Sequence, residues 1–216
     1  TPDFSYRIGD DEAVPMRLKI PANLYFTGTV NIDETTYMFS PKILDRAFTI
    51  ELNEVDLAAM GSSQDDAMGS RPSPGQLRLA HLPEQLTPLP PPGADDWRAF
   101  GAHEGGRLQQ RVLDLQARLK AEDRHFGYRV AVETARFVNL AVAQATPDTA
   151  AGWVALDLAL LQKVLPKLHG TQQELEEVLT GLLTFAQEEP ALPRMGEKLE
   201  RMLIRLGRQG FTSFIA

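Results

Sequence analysis

The chain has 216 residues, 43% hydrophobic and 24% charged, which is enough to bury a core and excludes a disordered or collagen-like sequence. A net charge of −7 provides no global field for drawing in nucleic acid or an anionic membrane, and the absence of cysteine excludes disulfides and thiolate zinc sites. No apolar run approaches the roughly 20 residues of a bilayer span and residues 1–11 lack a signal pattern, so a cytoplasmic location is expected. The first predicted element is a strand over residues 23–31, Asn23-Leu24-Tyr25-Phe26-Thr27-Gly28-Thr29-Val30-Asn31, whose nearly continuous apolar and β-branched content suits a strand covered on both faces of a parallel sheet. Ser40-Pro41 then opens a short helix ending near Arg46, and a second strand is expected over 48–52. Two strands are fewer than an α/β sheet needs, so the remaining strands are expected outside this chain.

Residues 57–93 change to Gly, Ser, Pro and Asp, including Pro88-Leu89-Pro90-Pro91-Pro92-Gly93, and read as a linker or insertion with at most a short edge strand at 76–79. From Ala94 onward the pattern is helical. Leu108, Val112, Leu115 and Leu119 form one amphipathic stripe, and the next helix begins near Phe126, carries apolar residues on more than one face within 128–144 and is expected at the centre of a bundle. Thr146-Pro147 signals a third helix with Val154, Leu158, Leu161 and Leu165 at helical spacing. Thr171 followed by Glu174 is a capping-box signal for a fourth, burying Leu175, Val178, Leu179, Leu182 and Leu183. A fifth is expected over 196–207 with Leu199, Met202, Leu203 and Leu206 as its core face, after which Phe211, Phe214 and Ile215 dock back.

The sharpest chemical feature is a strand ending in Gly28-Thr29-Val30-Asn31, followed by Asp33-Glu34 and by a helix ending Leu44-Asp45-Arg46. In an open α/β sheet ligands sit beyond the carboxyl ends of strands, so the Asn31 amide is placed to orient water. Arg46 can present a planar cation to a phosphate held by a neighbouring subunit. Taken singly, Asn after a strand is commonly a turn former and an Arg a surface charge, whereas the combination is more specific.

The stretch from Leu18 through Asn31, continuing in Tyr37-Met38-Phe39-Ser40-Pro41-Lys42-Ile43-Leu44-Asp45-Arg46-Ala47-Phe48, resembles the second half of the AAA+ module in McrB-like restriction NTPases. The resemblance implies an α/β P-loop (AAA+) fragment: residues 1–56 as the end of the core, with two or three strands of its sheet, 57–93 as linker, and 94–216 as a mainly α-helical lid. It implies Asn31 as sensor 1 and Arg46 as an arginine finger acting across a ring interface, both catalytic. Arg129, in Gly127-Tyr128-Arg129-Val130, is the implied sensor 2 that contacts the nucleotide, with Arg136 as second choice; a helix Arg paired with Glu133 at i and i+4 is the competing reading. It also implies ATP or GTP with Mg2+ as cofactor, a homo-oligomeric ring, a McrC-like nuclease partner, and DNA engaged through the complex. After Asn31 this chain reads Ile32-Asp33-Glu34-Thr35-Thr36, which departs from the family's usual Thr-Ala-Asp-Arg-Ser, so a divergent branch using ATP is expected.

No Gly-x-x-x-x-Gly-Lys-Ser/Thr loop occurs in the sequence, and by the family order both Walker motifs would precede Thr1, leaving this chain inactive alone. His81, His103, His125 and His169 fall at no ligand spacing, and no metal site is expected. Arg194, Lys198, Arg201, Arg205 and Arg208 line the last helix and read as a solvated face interrupted by Glu197 and Glu200. The main rival to the NTPase reading is a non-catalytic helical interaction or scaffold module; a helical DNA-binding domain using the basic stripe is a third.

Overall fold

The computed structural model describes residues 6–7, 13–14, 26–30, 39–52, 90–145 and 150–214. By its contacts the chain divides into two units, Thr1–Val30 with Val55–Pro90, and Asn31–Glu54 with Pro91–Ala216. In the first, β1 (Tyr6–Arg7) pairs antiparallel with β2 (Ala13–Val14), in the register Tyr6 to Val14 and Arg7 to Ala13. Residues 26–30 of that unit have no regular secondary structure, and Phe26 is 80% exposed.

The second unit is a helical bundle. Its elements are α1 (Pro41–Leu44), α2 (Ala94–Phe100), α3 (Arg107–Ala121), α4 (Tyr128–Gln144), α5 (Ala151–Lys163), β3 (His169–Thr171), α6 (Gln172–Gln187), α7 (Pro193–Gln209) and β4 (Phe211–Ser213), with 3-10 turns at His103–Gly106 and Leu165–Lys167. Helix α3 turns Leu108, Val112, Leu115 and Leu119 fully inward, and burying such side chains contributes roughly 1.5–3 kcal/mol each. Helix α6 begins where its sequence signal places it: the Thr171 backbone N–H and its hydroxyl both donate to Glu174 Oε2 at 2.9 Å, satisfying an end that would otherwise be orphaned. The N–H bond also holds the Glu174 carboxyl below its ordinary value.

Helix α5 is apolar nearly all round and packs against α3, α4 and α7, so the centre of the bundle falls there and not at α4. Its buried face carries Ala155, Leu156, Ala159 and Leu160, whereas Val154, expected in the core, is half exposed. Helix α7 follows α6 as an antiparallel partner and buries Met195, Leu199, Met202 and Leu206. Its N-terminal end is capped from a distance, since Asp157 of α5, 2% exposed, accepts the Arg194 and Met195 N–H groups at 2.9 Å each. Gly210, at φ +70°, closes α7 with its N–H on the Leu206 carbonyl, a left-handed turn that glycine adopts without strain. Strand β4 then pairs antiparallel with β3, and Phe214 is buried while Phe211 stays exposed. Gly170, in β3 at φ +154°, adopts a backbone that side-chain-bearing residues rarely take, and a Cβ there would stand 2.8 Å from Glu174 Oε2 and displace that capping carboxylate.

This architecture corrects the expected fold class. Among the described residues the chain is mostly helical with two short antiparallel pairs, and it has no α/β P-loop core sheet. The described part of the first expected strand is irregular and exposed. The second, at 48–52, is extended chain lying on helices: the Thr49 N–H donates to the Gln162 carbonyl at 3.0 Å, and Ile50 and Leu52 are 69% and 89% exposed. The physical reason is that β-branched and aromatic residues favour a strand only when a neighbouring strand supplies the pairing, and at 48–52 the hydrogen bond from Thr49 goes to a helix instead.

Candidate functional site

The residues that carry charge toward one another lie where the extended segment 39–52, a strap, crosses the bundle. Pro41 occupies the first turn of α1, and the Ile43 and Leu44 N–H groups both donate to the Ser40 carbonyl, at 2.9 and 3.2 Å. Leu44, 2% exposed, is the apolar plug, and α1 packs on the 3-10 turn Leu165–Lys167. Past α1 the strap is held by three lysines of the bundle. Lys163, fully buried at the end of α5, donates to the Asp45 and Ala47 carbonyls at 3.0 and 3.3 Å, ion-pairs with Glu133 of α4, and stands 4.9 Å from the Phe48 ring. Lys167 bonds Asp45 Oδ1 at 2.6 Å, and Lys198 bonds both oxygens of Glu51 at 2.6 and 2.7 Å. Phe48 stacks on Phe137 of α4 with ring centroids 5.6 Å apart.

Beside this junction is a half-open cavity of about 350 Å3, at the lower end of the roughly 300–1,000 Å3 range of small-molecule sites. Lys42, Asp45 and Arg46 of the strap face it from one side and Arg129, Lys167 and His169 from the other. Four cationic side chains and one carboxylate therefore line the cavity, in a chain whose net charge is −7. Asp45 spans two of them, with Oδ1 on Lys167 and Oδ2 3.4 Å from Arg129 Nη1. The Lys167 hydrogen bond holds the Asp45 carboxyl below the usual carboxylate range despite its partial burial, aided by the charges of Lys167, Arg129 and Lys163. Lys42 and Arg46 have no carboxylate partner among the described residues, and the buried Nδ1 of His169 has no hydrogen-bond partner there. Such a surplus of donors attracts an anion that accepts several hydrogen bonds at once, and phosphate is the common one.

Two of the residues singled out by sequence thus meet at one place. Arg46, exposed just after α1, and Arg129, exposed in the first turn of α4, line the same cavity. Asn31 lies outside the described residues. Arg129 pairs with Asp45 and not with Glu133, whose partner is Lys163. Arg136 stands elsewhere, clasping Asp96 of α2 through Nε at 2.6 Å and Nη2 at 2.7 Å, which ties α2 to α4. The basic stripe of α7 is broken by Lys198, which is buried against Glu51 and lies 4.4 Å from the Phe214 ring. His103 bonds Asn139 at 2.9 Å, and among the described residues no group of three His, Asp or Glu side chains is arranged to hold a metal. Sequence reasoning missed Lys163 and Lys167, and it placed the buried Lys198 on a solvated face. The available signal was Lys163 at the end of a helix otherwise lacking any basic residue, which marks a lysine with a defined internal partner.

A helical bundle with a cationic cavity under a docked strap is the class of protein the geometry defines. Residues 98–211, more than half of the chain, match the family described as "Domain of unknown function (DUF8727)", and the chain belongs to that family. The match includes Arg129, Lys167 and His169 but not the strap, so the family domain supplies one wall of the cavity and a preceding segment supplies the other. Neither the curated proteins nor the solved structures include a match to the chain. Among the described residues no helix is long and apolar enough to cross a membrane.

Proposed function

We propose that this chain is a non-catalytic helical binding module whose cavity takes a small phosphate-bearing anion. The supporting observation is the set of Lys42, Arg46, Arg129 and Lys167 around the single carboxylate of Asp45. In an acidic protein such a concentration of donors is a local field of opposite sign, and it draws an anion that the rest of the surface repels. Calorimetric titration of the chain at low ionic strength with inorganic phosphate, pyrophosphate, ATP and GTP, with and without Mg2+, tests the reading. Binding is expected to tighten with the number of phosphates and to weaken with salt. Arg129→Ala is expected to weaken pyrophosphate binding about tenfold, the low end for a hydrogen bond to a charged group because Arg129 is half exposed. Absence of binding by every phosphate compound would refute the proposal.

A second reading rests on Arg46 and Arg129 lining one cavity, since these are the residues the McrB-like resemblance implies as finger and nucleotide sensor. Under it the anion is the polyphosphate of ATP or GTP with its Mg2+, held largely by another subunit of a ring that works with a McrC-like nuclease on DNA. Nucleotide-dependent oligomerisation of the protein, followed by light scattering, supports this reading; a monomer at saturating nucleotide counts against it.

A further inference from the structure

We infer that the cavity anion is a latch on the strap: its binding and the docking of residues 39–52 on the bundle are one coupled equilibrium, and Asp45 is the internal anion that sets the coupling. The inference rests on the anion-binding reading above and adds its consequence for the fold. Lys42 and Arg46 ride on the strap, whereas Arg129 and Lys167 belong to α4 and to the turn after α5. A phosphate that bonds both sets crosslinks the two walls. Because the undocked state offers only half of these donors, the anion binds it less tightly and must favour docking by that difference in affinity.

Asp45 already plays this part in a weaker form. Its carboxylate joins a strap residue to Lys167 at 2.6 Å and to Arg129 at 3.4 Å, and it has only two oxygens and one charge with which to do so. It leaves Lys42 and Arg46 without a carboxylate among the described residues, and those are the donors an added phosphate would use. The same carboxylate opposes an incoming anion by like-charge repulsion. Asp45 is therefore both a tether and a gatekeeper, and exchanging its charge for neutrality separates the two roles.

Amide hydrogen exchange on the full chain, with pyrophosphate as the probe, reads the latch directly. The Ile43, Leu44, Asp45, Arg46 and Ala47 amides all donate to carbonyls of residues 40–43, so they report whether α1 stays formed. Their protection is expected to rise about tenfold with pyrophosphate at about ten times its Kd, while amides at the centre of α5 change little. In Asp45→Asn the strap amides are expected to exchange faster without anion, and pyrophosphate is expected to bind more tightly and restore their protection. If calorimetry shows binding but the strap amides do not respond, the latch is overturned and the anion site stands. If protection rises equally throughout the bundle, the effect is global stabilisation and the latch is likewise overturned. No binding to either protein removes both readings.

Discussion

Replacing Lys163 by Met tests how much of the strap's hold on the bundle comes from the most deeply buried of its three lysines. The apolar stem is kept and the charge removed, so the packing of α5 changes little. Lys163 is 0% exposed, donates to two strap carbonyls, pairs with Glu133 and lies near the Phe48 ring. Charge-assisted hydrogen bonds contribute about 1.5–3 kcal/mol each and the ring about 0.5–2, but one ammonium makes all of these contacts and their values do not add. The governing magnitude is the loss of one partner from a buried pair, about 3–5 kcal/mol, because Glu133 is left 22% exposed and its Oε2 has no other partner among the described residues. The acceptors at Asp45 and Ala47 lie on the strap, so faster exchange is expected first at the amides of residues 43–47. Urea unfolding should show the stability loss, and Glu133→Gln in the Lys163→Met background should recover at least about 1 kcal/mol by removing the stranded carboxylate. A Lys163→Met variant within about 0.5 kcal/mol of the parent, with strap exchange unchanged, would refute this account.

Two further substitutions probe the bundle. Arg111, 8% exposed, donates to the Phe185 and Glu188 carbonyls and to the Glu188 carboxylate at the end of α6, with its guanidinium 3.9 Å from the Phe185 ring; Arg111→Met is expected to cost about 2–4 kcal/mol in urea unfolding, and a loss under about 0.5 would show that Arg118, which bonds Glu188 Oε1 at 2.8 Å, suffices. Asp157→Ala orphans the Arg194 and Met195 N–H groups and is expected to cost about 1–3 kcal/mol. Burial raises the Asp157 carboxyl above its ordinary 3.8, so the folded state holds that proton more tightly than the unfolded chain. Its contribution is therefore fully present below 3.8 and lost as pH rises through the raised folded value. The parent's advantage over Asp157→Ala should accordingly shrink as pH rises above the ordinary carboxylate value of 3.8, and an advantage that grows instead would contradict the assignment.

Several helices were legible from local signals, although the Thr146-Pro147 signal for the third lies outside the described residues and α5 begins at Ala151. Pro41 starts α1 because its fixed φ suits a first turn, Thr171 with Glu174 starts α6 because its end is satisfied within three residues, and Leu108, Val112, Leu115 and Leu119 share one face by the 3.6-residue period alone. Where the signal was not local, it misled. Residues 26–30, the described part of the strand expected over 23–31, and residues 48–52 have strand-like side chains, but a strand exists only with a partner, and the strap found helices instead. In α5 nearly every position is apolar, so spacing could not tell the buried Leu156 and Leu160 from the exposed Val154.

The candidate site divides in the same way. That Arg46 and Arg129 line a common cavity was not legible in the sequence, since the family resemblance has Arg46 act across a subunit interface, and the expected α/β setting is absent from the described residues. Lys163 and Lys198 are ordinary cations in the sequence; their burial follows from the Asp45 and Ala47 carbonyls and from Glu51, each more than a hundred residues away. By itself the sequence determined an acidic, cysteine-free chain whose C-terminal half is a series of capped amphipathic helices, since composition and short-range periodicity are local properties. Only the tertiary structure decided which lysines are internal, which charges converge and where a cavity remains, because a buried charge is tolerable only where remote groups arrive to pair with it.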